Sequence, residues 1–159
     1  MLTKKPRHLK PGGYVEIQEL HYHPRADDDT LTPETPYALA SFLGYLRAGL
    51  RALGADLDAV THAAEELTAA GFENVTRETQ RCPIGAWPRD LELRTCGVFL
   101  RTSLMDGLRG WSRKPFGEGL GWTRMQIEMF LVDVRRDIMD AGFHAYIPFY
   151  SIYGRKPMS

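Results

Sequence analysis

The stretch LKPGGYVEIQELHYHP, Leu9 to Pro24, decides how the rest of the chain is read. Pro11-Gly12-Gly13 is a turn sequence. Tyr14 to His21 then alternates as a strand does, with Val15, Ile17 and Glu19 on one face and Tyr14, Glu16, Gln18 and Leu20 on the other. A glycine turn feeding an extended apolar run looks like a late strand of a much larger sheet. Here it is the first element, so the neighbours that such a strand should have before it are missing from this chain.

Downstream, alternating elements are clearly punctuated. After the acidic loop Asp27-Asp28-Asp29, Thr32 can cap a helix beginning at Pro33 and Glu34, with a stripe of Leu39, Phe42, Leu43, Leu46, Leu50 and Leu53 and a stop at Gly54. A second helix follows Asp56, turns Leu57, Val60, Ala64 and Leu67 inward, and ends at Gly71 with Phe72 folding back on its last turn. Asn74 to Arg81 has Val75 as its single large aliphatic residue, which suits an exposed edge strand. His144 to Tyr153, HAYIPFYSIY, is apolar on both faces and reads as a central strand, with Pro148 at a bulge or a break in pairing. Between these two strands lie a helix from Asp90 to Leu108 and another that opens on a capping box, Thr123 to Gln126, and buries Ile127, Phe130, Leu131, Val134 and Ile138.

Composition removes several functional classes. The 159 residues are 43% hydrophobic and 25% charged, enough for a chain of this size to bury about two-thirds of its surface in one core. The expected organisation is a basic tail over residues 1–8, containing Lys4, Lys5, Arg7 and His8, and a single domain over 9–159. Basic and acidic residues balance at 20 each, so no net field favours nucleic acid or an anionic membrane surface. No apolar run reaches the roughly 18 residues of a membrane span, and no signal sequence opens the chain, which reads as cytoplasmic. Cys82 and Cys96 are then expected to be free thiols.

Taken in order, LKPGGYVEIQEL, DDDT, AAGFENV, CPIGAWPRD, the LGW that opens a helix and the closing YGRKP resemble the C-terminal half of the LaeA-like group of fungal class I S-adenosylmethionine (SAM)-dependent methyltransferases. The resemblance runs from about Leu9 to Pro157, nearly the whole chain. It implies an α/β fold: a truncated, Rossmann-like methyltransferase half-sheet of three strands with flanking helices. Tyr14 to His21 would be the fifth strand, Asn74 to Arg81 the sixth, and His144 to Tyr153 a seventh that inserts antiparallel, giving the order 5-7-6.

The departures from that family matter as much. Such enzymes hold the cofactor at the C-terminal ends of their first strands, on a glycine-rich loop and an acidic residue, and those strands are not in this sequence. Gly117-x-Gly119-x-Gly121 follows RKPF with no strand before it and reads as a loop leading into a helix. With Met1 at its head, the chain is expected to be a short gene product that does not bind SAM by itself.

Several residues can carry chemistry. Glu19 and His21 stand at the strand end where the resemblance places substrate and methyl donor, and with His144 they are the candidate catalytic groups. Trp87, Trp111, Trp122, Tyr146 and Tyr150 could wall an apolar small-molecule pocket, with Arg101 and His23 as polar lining. His21, His23 and Asp27 to Asp29 would suit zinc or iron, but their spacing is loose; a polar strand end followed by an Asx turn is the simpler reading, and no metal is assigned. No hydrolase triad or P-loop is present.

Three functions follow. The first is a cofactor-independent cyclase or pericyclase of natural-product biosynthesis, Diels-Alderase-like, which would need only shape and a few dipoles. The alternatives are a fragment or subunit of a SAM-dependent methyltransferase and a non-catalytic partner of a complete one. The unpaired side of strand 14–21 is a template for association, and a homodimer through that strand is expected; the alternative is that the basic N-terminal segment folds over the edge and leaves a monomer.

Overall fold

The alternation in Tyr14 to His21 becomes strand β1 (Tyr14–Leu20) in the computed structural model, which describes residues 9–158. The basic tail expected over 1–8 lies outside the described residues. The other elements, in chain order, are helix α1 (Ala38–Ala52), a 3-10 turn (Ala59–His62), α2 (Ala63–Ala69), β2 (Glu73–Pro83), α3 (Leu91–Lys114), a π-helical turn (Pro115–Gly119), α4 (Arg124–Met139) and β3 (Tyr146–Arg155). They form two compact units. One holds the sheet, from residues 9–21, Asp58–Gln80 and 149–158, and the other is mostly helical, from Tyr22–Leu57 and Arg81–Pro148.

In the sheet unit the strand order is β1-β3-β2, the order the resemblance implied. β3 runs antiparallel to β1 in a register from Tyr14↔Arg155 to Leu20↔Phe149. Because side chains alternate, Val15, Ile17 and Glu19 share a face with Tyr150 and Ile152. That face is covered by the 3-10 turn and α2: Val60, Ala63, Leu67 and Phe72 are buried against Tyr150 and Ile152, with Val15, Ile17 and Val75 packed around them. The opposite face is polar, tied by Ser151 Oγ donating to Glu16 (2.6 Å) and Tyr153 Oη donating to Glu78 (3.1 Å). α2 ends as its sequence requires, with Gly71 at φ 88° and the Phe72 N–H donating to Leu67 O. β2 is exposed along most of its length, as an edge strand should be.

Pro148 falls at a break in pairing. The ladder with β1 stops at Phe149, and the next pair along β3 is an isolated bridge, Arg25↔Tyr146. Proline has no N–H to give a ladder, so the gap costs nothing there.

The helical unit differs from the sequence reading in three places. α1 does not begin at Thr32 and Pro33. Residues 32–36 are turns in which Thr32 and Thr35 bond each other, because Pro36 holds the chain extended just before the helix. The first N–H of α1 finds its partner far away in sequence, the buried carboxylate of Asp137 on α4. α3 starts where expected, with Asp90 accepting from Leu93 N (2.9 Å), but continues past Leu108 to Lys114 and into the π-helical turn. Gly117 and Gly119 therefore lie in that turn, and only Gly121 (φ 74°) serves as the loop before α4. The capping box Thr123–Gln126 is formed in full. Leu53 at the end of the α1 stripe is exposed, while Leu39, Phe42, Leu43 and Leu46 are buried.

Two glycines permit close backbone approaches. A Cβ at Gly49 on α1 would strike the Pro115 carbonyl, and one at Gly97 on α3 would strike the Gly85 carbonyl, whose own N–H donates to Gly97 O (2.9 Å). Gly110 on α3 has open space around it. We expect Gly49→Ala and Gly97→Ala each to lower the stability measured by urea unfolding by about 1–3 kcal/mol. Gly110→Ala should raise it by about 0.5–1 kcal/mol through helix propensity.

Candidate functional site

The sheet unit carries one polar constellation in an otherwise apolar setting. β1 ends at Leu20, so His21 follows on the face of Val15, Ile17 and Glu19, and the register places Glu19 directly across from Tyr150. His21 is buried, stacks on the Tyr150 ring (5.5 Å, 22°), and has Nδ1 3.3 Å from the Tyr150 hydroxyl. Its Nε2 lies 3.9 Å from Asp58 Oδ1. Arg77, anchored by donation to Thr61 O (2.5 Å), stands over the other ring, 5.4 Å from the Tyr150 centroid. The phenol and the imidazole can exchange a proton, and the nearby carboxylate favours the imidazolium that results.

The helical unit gathers a second polar group. Asp28 accepts from the Thr30 N–H (3.1 Å) and hydroxyl (2.6 Å), forming the expected Asx turn, and its other oxygen lies 2.6 Å from His144 Nδ1. Trp87 stacks on His144 (5.2 Å, 25°) and donates its indole N–H to Ala145 O (3.0 Å). Tyr146 donates to Asp27 (3.2 Å), which also pairs with Arg81 at 2.6 Å, and Arg81 lies over the Tyr146 ring. Burial and the bond to Asp27 raise the Tyr146 phenol above its ordinary value. The carboxylates Asp27 and Asp28 are thus engaged with protein partners.

Three other sequence candidates, Arg101, Trp122 and Trp111, are dispersed through the helical unit. Arg101 lines a small cleft of about 110 Å³ with Trp87, Ile84 and Phe143. Trp122 belongs to an aromatic cluster with Tyr45, Phe116 and Phe130, and Trp111 is an exposed residue of α3 whose ring lies beside Gly107. His23 follows β1 in the helical unit. The sequence reading missed Asp58, Arg77, Arg81 and Thr30 as members of these groups. Asp58 lies 37 positions after His21, with no local spacing to connect them, and the sequence reading starts the second helix at Asp56 instead.

The mixed α/β chain, with its last strand lying between its two predecessors, is consistent with a truncated methyltransferase-like fold. The chain is a homologue of fungal methyltransferases and LaeA-like regulators, a match consistent with their C-terminal half. It is 30% identical over 150 residues to the methyltransferase pytC of Aspergillus terreus, covering 94% of this chain and 46% of that one. To the secondary metabolism regulator LAE1 of Cochliobolus heterostrophus it is 28% identical (94% and 49%), and to the protein-methionine methyltransferase laeA of Emericella nidulans 24% identical (95% and 40%). No family model matches. The chain spans about half the length of the curated relatives it matches. Among the described residues no strand leads through a glycine-rich loop into a helix. No described helix is long and apolar enough to cross a membrane.

The Thr30 hydroxyl and then His144 hold the Asp28 carboxyl down from its ordinary 3.8 to about 2. The folded state therefore favours the carboxylate: the stabilisation of this turn is complete above pH 3.8 and is lost as pH falls through about 2. Carbon-13 NMR of the Asp28 carboxyl should show a midpoint near 2 in the wild type and a rise toward 3.8 in Thr30→Val.

Proposed function

We propose that this chain works in methyl transfer, as the half of a SAM-dependent methyltransferase that shapes the acceptor side, together with cofactor-binding residues it does not itself contain. The observation that carries this reading is similarity over 94% of the chain to proteins named as methyltransferases, each about twice the matched length. The constellation at the end of β1 supports it. An acceptor hydroxyl, thiol or amine must lose a proton as it is methylated, and His21, oriented between Asp58 and Tyr150, is placed to take that proton directly or through the phenol. Glu19, exposed and across the ladder from Tyr150, would hold a polar group of the acceptor. The free edge of β1 is where further strands would pair, supplied by the cofactor-binding half or by a second copy of this chain.

Calorimetry of the chain alone should give no heat with SAM up to millimolar concentration. A chimaera carrying the first half of pytC ahead of Leu9 should bind SAM and transfer a labelled methyl group to an acceptor in fungal metabolite extract. In that chimaera His21→Gln should reduce transfer about 10²-fold while leaving SAM affinity unchanged. A micromolar dissociation constant for the chain alone would overturn the division of labour proposed here, and SAM-free ring closure of an extract component by the chain alone would favour the cyclase reading instead. In light scattering, a self-paired β1 edge gives twice the 18.0 kDa chain mass, and a monomeric mass removes the homodimer.

A further inference from the structure

The helical unit has a cleft of about 560 Å³ where the C-terminal part of α3 meets the start of α4, and its chemistry is unlike that of either group above. Three guanidinium groups, Arg109, Arg113 and Arg124, line it, with Trp122 and Ile127 as apolar wall and Glu128 as the one acid. Glu128 does not neutralise the set. It is committed to Arg109 through two contacts of 2.9 Å, Nε to Oε1 and Nη2 to Oε2, a fork-to-fork pair that lowers the glutamate and raises the arginine from their ordinary values. The side chains of Arg113 and Arg124 make no hydrogen bond or close ion pair among the described residues, although the charge of Arg124 is near enough to help hold Glu128 ionised.

Their placement on the helices sharpens the point. Arg113 lies in the last α-helical turn of α3, just before the π-helical turn. Arg124 is the first residue of α4, beside N–H groups that carry partial positive charge, and no acidic residue occupies that first turn. A cation at that end is opposed by the helix dipole, and the opposition is relieved when an anion sits between.

The size falls within the range of small-molecule sites, and the walls combine forked cationic donors with a flat aromatic surface. We infer that this cleft binds a planar organic acid, whose carboxylate is taken by Arg113 and Arg124 and whose ring lies against Trp122 and Ile127. The inference stands apart from the methyl-transfer reading and would survive its failure.

The test uses 2-naphthoate as probe and 2-naphthalenemethanol as its neutral counterpart, titrated into the full chain by calorimetry. Naphthoate should bind at sub-millimolar concentration, the alcohol at least about tenfold more weakly, and the double variant R113Q/R124Q should lose about tenfold or more in affinity for the acid, equivalent to about 1.4 kcal/mol. Both residues are exposed, and circular dichroism reports whether the variant keeps its fold. Should it not, E128Q provides a second readout: freeing Arg109 should tighten naphthoate binding about threefold without changing the affinity for the alcohol. No heat with naphthoate to 10 mM (about 2.7 kcal/mol of affinity at most), equal binding of acid and alcohol, an unchanged R113Q/R124Q, or an E128Q that binds no tighter would each overturn the proposal.

Discussion

The seven-residue ladder between β1 and β3 is the constraint on which the sheet unit depends. It joins strands separated by more than a hundred residues, and its register decides which side chains meet. With Tyr14 opposite Arg155, Tyr150 stands across from Glu19 and reaches His21; the period of two means that a one-position slip of β3 would send Tyr150 to the polar face, and one of β1 would send Glu16 to the core. Ile17 opposite Ile152, both against Leu67 and Phe72, makes that slip costly, since each buried aliphatic side chain contributes about 1.5–3 kcal/mol. The catalytic candidates at the end of β1 are thus positioned by apolar pairs earlier along the same strands.

Much of the architecture is legible in the sequence because the signals are local. A capping box, a glycine followed by a hydrophobic residue at the end of α2, and alternation in β1 each act within a few residues, and all are realised. The sequence-based errors occur where a distant partner or a geometric detail overrides a local cue. Thr32 is a plausible cap by composition, but Pro36 delays the helix, and the carboxylate of Asp137 satisfies the first N–H of α1. The glycines of GEGLG suggest a loop, yet Pro115 and Phe116 are buried and α3 simply widens into a π-helical turn.

The chemical groups were harder to read. His21, Tyr150 and His144 attract notice as residue types, but their partners Asp58, Asp28 and Thr30 are common polar residues that become meaningful only through contacts made 37, 116 and 114 positions away. Trp87 illustrates the same limit: an aromatic in a loop could wall a pocket, whereas here it stacks on His144 and caps the Ala145 carbonyl. Equal totals of acid and base likewise hide a local concentration of arginine between α3 and α4.

The edge of β1 carries the argument back to the family. One side of this strand is bonded to β3, and the other has no partner strand among the described residues, although Val15 and Ile17 already pack into the core. Edges that remain in water are ordinarily protected by proline, by bulges or by inward-pointing charge. β1 has no proline and no bulge in its register; Glu16 lies on the polar face, and the one charge on the covered face is Glu19, next to the strand's last residue. The backbone groups along most of that side are therefore left without the usual protection of an edge. In an α/β sheet of the methyltransferase type the pairing strand would come from the half that holds the cofactor, so the same edge that leaves β1 open would bring the cofactor to the His21 end of the strand.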